Sequence, residues 1–102
     1  MEKLKFINKI EEVMLYIDEI KHLLYDGKLI NAHGKIIGII QKLDFIIKNI
    51  QNLELITKIE EIMFGVKELN NIMIMGKIIQ AYEKTSDILI RLNGLRNEDN
   101  TD

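Results

Sequence analysis

A chain of 102 residues, 47% hydrophobic and 29% charged, can enclose one small core, a balance that excludes both a disordered and a fibrous protein. Its net charge of −2, with Lys and Glu interspersed, excludes the basic face of a nucleic-acid-binding protein, and no segment approaches the roughly 18 uninterrupted apolar residues of a membrane span. The lack of Cys rules out disulfides and thiolate metal sites, and Met1 to Lys5 does not read as a secretory leader, so a cytoplasmic protein with no membrane partner is expected.

Phe6, Ile10, Val13, Ile17, Ile20 and Leu24 step by 4,3,4,3,4, the spacing of one apolar helical face. Asp26-Gly27-Lys28 then breaks the pattern, and Gly27 is expected to close the helix in the left-handed conformation. A second helix is predicted from Leu29 to Ile50, with Leu29, His33, Ile36, Ile40, Leu43, Ile47 and Ile50 as its seam. After a short joint at Gln51-Asn52, a third helix presents Leu55, Ile59, Ile62, Val66, Leu69 and Met73, and Met75-Gly76-Lys77 ends it. A fourth shows Ile78, Tyr82, Thr85, Leu89 and Leu92 and is expected to stop near Asn93-Gly94, leaving residues 96 to 102 as a disordered polar tail.

These elements repeat. Residues 4 to 46 align with residues 53 to 95 at a shift of 49, with 15 identities in 43 positions, among them Glu11, Glu12, Met14, Gly27 and Lys28 with Glu60, Glu61, Met63, Gly76 and Lys77. A period in the range of roughly 20–50 residues marks a repeated supersecondary unit. Short joints make neighbouring helices antiparallel, so the expected fold is all-α: one domain over residues 1 to 95, an up-down four-helix bundle of two duplicated αα-hairpins.

The second predicted helix departs from its copy. Gly34 and Gly38, each costing about 1 kcal/mol in a helix interior, face Glu83 and Asp87 in the alignment. The same helix carries Ile30, Ala32, Ile37, Ile39, Phe45 and Ile46 off the predicted seam, more apolar surface than one side of a bundle normally buries. Ala32, Gly34, Ile37, Gly38, Ile39, Phe45 and Ile46 are therefore the candidate partner-binding residues. An enclosed helix, a homodimer seam and a groove for another protein's amphipathic helix all fit this pattern.

Candidate chemistry is sparse. Glu19 and His22 have the i,i+3 spacing of carboxylate-bridged metal bundles, but their copies are Glu68 and Asn71, an incomplete ligand set. Asn31-Ala32-His33-Gly34-Lys35 invites comparison with small phosphotransfer domains, yet Ile36 and Ile37 stand where those have Lys and Gly. His33 also falls on the predicted seam, so a buried or half-buried histidine is expected. Gly27-Lys28 lacks the glycine-rich loop and Ser/Thr of a phosphate cradle. No nucleophile, base and orienting group converge in the sequence, so no enzyme, cofactor or metal centre is expected.

Asp26-Gly27-Lys28-Leu29-Ile30-Asn31-Ala32, with the apolar helix to Ile50, resembles the acidic-Gly turn and second helix of the flagellin export chaperones of the FliS type. Ile56 to Leu92 is similar to that family's last two helices in length and pattern, and Leu24-Tyr25-Asp26-Gly27 matches its Leu-Tyr-Asp-Gly motif in a competing register. The resemblance implies a small bacterial cytoplasmic bundle in flagellar export, a chaperone or adaptor that holds a client's amphipathic helix in apolar grooves.

Overall fold

The computed structural model describes residues 1 to 98, and all its regular structure is helical. The segments are α1 (Lys3–Tyr25), α2 (Leu29–His33), α3 (Ile36–Lys48), α4 (Leu53–Ile74) and α5 (Ile78–Arg96). Packed together they measure 40 × 18 × 18 Å. Helix α1 contacts α5, α2 and α3, and α4 contacts α5, α3 and α2.

The apolar spacing of α1 and α4 becomes burial without change. Phe6, Ile10, Val13, Ile17, Ile20 and Leu24 are buried on α1, and Leu55, Ile59, Ile62, Val66, Leu69 and Met73 on α4, each exactly one repeat later. Both helices end as anticipated. Gly27 has φ of +73° and Gly76 +72°, and the two following turns close identically: the Gly27 and Lys28 amides donate to Leu24 and Leu23, those of Gly76 and Lys77 to Met73 and Ile72. This pair of bonds satisfies carbonyls that a helix end otherwise leaves unpaired. At its start α4 is capped by Asn52, whose side chain accepts from the Leu55 amide at 3.0 Å.

The expected second helix is corrected in two ways. It is interrupted, α2 giving way to α3 through Gly34 and Lys35, where the Lys35 amide donates to Ala32 three residues back rather than to Asn31. Glycine's weak helix preference places the interruption there. Its buried stripe is also rotated: Ala32, Ile36, Ile39, Leu43, Ile46 and Ile50 enter the core, Leu29, Ile40 and Ile47 lie at its edge, and His33 is exposed. Both stripes have helical spacing and share Ile36, Leu43 and Ile50, so periodicity cannot choose between them. The same rotation appears on α5, which buries Ala81, Thr85, Ile88, Leu92 and Leu95 while Tyr82 and Leu89 sit at the edge. Thr85, in the place of Ile36, satisfies its hydroxyl by donating to the Tyr82 carbonyl at 2.5 Å.

The end of α5 is a further correction. The helix continues through Gly94 to Arg96, because Leu95 still has a core position to fill. Beyond it Glu98 accepts from Lys58 at 2.7 Å. Of the expected disordered tail, residues 99 to 102 lie outside the described residues.

Candidate functional site

The seven candidate partner-binding residues do not share one surface. Ala32, Ile39 and Ile46 are fully buried in the core, Ile37, Phe45 and Gly34 face solvent, and Gly38 is half-buried. The expectation that all seven form a partner surface is therefore corrected: α2 and α3 form an enclosed side of the core, with only part of the set facing outward. Gly38 has a local reason. A Cβ built there would lie 3.2 Å from Cε2 of Tyr16, so the missing side chain admits the tyrosine ring of α1. The copies exchange sizes, Gly65 on α4 replacing Tyr16 and Asp87 on α5 replacing Gly38.

Around that ring the first half builds a charged seam. Lys35 and Lys42 stand 5.6 and 5.1 Å from the Tyr16 centroid, and Lys9 stands 5.3 Å from that of Phe45. Lys42 donates to Glu12 at 2.8 Å, and Lys35 pairs with Glu19 at 2.7 Å. The hydrogen bond from Lys42 holds the Glu12 carboxyl below its usual range, and the same bond raises the Lys42 ammonium. These charges are already partnered and serve the packing of α1 on α3.

The other candidate groups are likewise placed. Glu19 is engaged with Lys35, while the His22 ring nitrogen Nδ1 lies 2.8 Å from the Asp18 carbonyl, so the E-x-x-H pair is not drawn to a common point. Among the described residues no group of three or more His, Asp or Glu could hold a metal ion. No helix among them is long and apolar enough to cross a membrane.

An accessible apolar depression lies between α1 and α5. Its floor and walls are Met14 and Leu15 from α1 and Leu89 and Ile90 from α5, with a volume of ≈ 550 Å³. Leu15 is 58% and Ile90 71% exposed. Polar groups stand around it: Glu11 and Asp18 on α1, Asn93 and Arg96 on α5. Arg96 is held by Asn93 and reaches Glu11 at 3.4 Å, closing one end. Apolar within and charged at the rim, this depression can accept one face of a helix. Sequence reasoning missed it because Leu15 and Ile90 lie on different helices and off both seams. The available signal was Leu15 aligning with Phe64, an outward apolar residue in both halves.

Comparison with known protein families, curated proteins and solved structures finds no match to the chain.

Proposed function

We propose that the chain is a non-enzymatic helical binding module, an export-chaperone-like adaptor that holds an amphipathic helix of a protein partner between α1 and α5. The observation carrying this reading is the depression around Leu15 and Ile90, where large apolar side chains stand in solvent beside Met14 and Leu89. Isolated exposed apolar residues are ordinary, but a contiguous apolar depression with a polar rim is a feature of contact sites. Asp18, on the rim away from the Glu11–Arg96 pair, favours a partner helix that carries a Lys or Arg on its flank. The resemblance to the FliS-type chaperones points to the same mode of recognition.

The proposed scaffold is an antiparallel up-down bundle of two duplicated hairpins. Cross-helix partners run in opposing order in support of it: Glu12 with Lys42 and Glu19 with Lys35, then Lys58 with Glu98 and Glu68 with Lys84, then Glu11 with Arg96 and Lys21 over Tyr82. Such an arrangement leaves α1 and α5 side by side, with the depression along their junction.

A fluorescent amphipathic peptide with leucines at i, i+3 and i+7 and flanking lysines is the test probe. Leu15→Glu and Ile90→Glu should each weaken its binding at least tenfold without changing the helical circular-dichroism signal, while Ile37→Glu on α3 should leave binding intact. Equal binding by all three variants would sink the assignment. The exposure of His33 favours one second reading, histidine phosphotransfer. Labelling by acetyl phosphate that His33→Gln abolishes would support it, and an unlabelled protein would dismiss it.

A further inference from the structure

The end of the molecule that carries both tight turns is apolar on its outside. Tyr25 is 81% exposed, Ile30 87% and Ile79 76%, and Ile74 and Met75 also face solvent. Leu24 and Tyr25 line one depression with Ile78 and Ile79, of volume ≈ 430 Å³, so the turn after α1 and the turn before α5 lie together. The two halves agree on this: Tyr25 aligns with Ile74 and Ile30 with Ile79, at a shift of 49. Outward apolar pairs also recur at Leu4 with Leu53 and Leu15 with Phe64, but only at the turns do two such pairs come from neighbouring positions of both halves, with Tyr25 and Ile79 sharing one depression. The core does not need these side chains.

We infer that this end is the contact surface for a second copy of the same chain, forming an end-to-end dimer. The five exposed side chains present on the order of 700 Å² per protomer, and twice that falls within the roughly 1,200–2,000 Å² of a specific interface. The charges also suit a self-complementary contact. Asp26 and Glu83 are exposed acids and Lys28 and Lys77 exposed bases, with Lys21 held over the Tyr82 ring beside them, and in a two-fold contact each patch meets its own copy, so acids of one protomer can pair with bases of the other. A lipid surface would instead select an excess of cations around the apolar tips.

Sedimentation of the full chain over the micromolar range tests the inference. The unmodified chain should dimerise reversibly, Ile30→Glu combined with Ile79→Glu should raise the dissociation constant at least tenfold, and Leu53→Glu at an exposed position near Asn49 should leave it unchanged. Helical circular dichroism monitors folding, and if the double variant unfolds, Ile30→Ser alone should still weaken association severalfold. A strictly monomeric protein overturns the proposal, as does a dimer indifferent to the turn variants or equally sensitive at Leu53. Pelleting of a monomeric chain with vesicles of anionic phospholipid overturns it in favour of a lipid partner. The double variant should still bind the amphipathic peptide at Leu15 and Ile90, which separates this result from failure of the proposed function.

Discussion

The two halves of the chain bury matching positions but fill the space between their helices differently. In the first half a tyrosine on α1 enters the notch at Gly38, and lysines gather on its ring. In the second the notch is on α4 itself, where a Cβ at Gly65 would lie 3.7 Å from Ile88 and 3.8 Å from Lys84. A core position is constrained by every neighbour and stays apolar in both copies except at Ile36, whose counterpart Thr85 satisfies its hydroxyl on the Tyr82 carbonyl. At the helix boundary the copies differ: Gly38 receives the Tyr16 ring, whereas the nearest neighbours of Gly65 are Ile88 and Lys84.

The largest expected effect tests whether the halves share the load. Leu43→Ala and Leu92→Ala remove equivalent, fully buried side chains, and each should cost about 2–5 kcal/mol by chemical denaturation. A cost confined to one variant would break the equivalence of the two halves. Next come the turns. Gly27→Ala and Gly76→Ala place a Cβ at positive φ and should each destabilise by about 1–2 kcal/mol, with matching shifts in denaturation midpoint.

The exchange of sizes gives a finer test. Gly65→Ala meets ordinary contact distances and should stabilise α4 by about 0.5–1 kcal/mol through helix propensity. Gly38→Ala should gain less, because its Cβ crowds the Tyr16 ring at 3.2 Å. A double-mutant cycle with Tyr16→Ala should show coupling of about 0.5 kcal/mol or more, whereas additivity would mean the ring does not depend on the notch.

The smallest effect concerns the Glu12–Lys42 link of the first half. A carboxyl held below its usual range contributes above its unfolded pKa, and the contribution fades as pH falls through the lowered folded value. For Lys42, raised in the fold, it persists below the unfolded pKa and fades as pH rises through the folded one. At neutral pH the link is therefore complete, yet its half-exposed groups should yield less than about 1 kcal/mol. Glu12→Gln should lower stability by that amount at pH 7 and converge with the parent protein in acid, as followed by thermal melts across the acidic range.

Much of the fold was legible in the residues. The single apolar stripes of the first and third predicted helices could be buried in only one orientation, and Gly27 and Gly76 marked their ends by chemistry suited to positive φ. The segment from Leu29 to Ile50 was harder to read for a physical reason: with Ile36 and Ile37 before Gly38 and Ile39 and Ile40 after it, the segment offers two helical stripes, and a periodic pattern cannot rank them. His33 was assigned to the wrong stripe with the others. The helix end near Gly94 was masked because a glycine can stop a helix or be carried through when a buried residue such as Leu95 follows.

The sequence by itself determined an all-helical chain with a repeat of 49 residues, the burial of α1 and α4 and the closure of both turns. These follow from interactions within a few residues, or from a stripe with no rival. Tertiary structure alone decided which side of the α2–α3 segment entered the core, that Gly38 receives Tyr16, and that Leu15 and Ile90 stand together in one depression. Each of those outcomes depends on the rotation of one helix about its axis relative to another, and that rotation is set only when the helices pack.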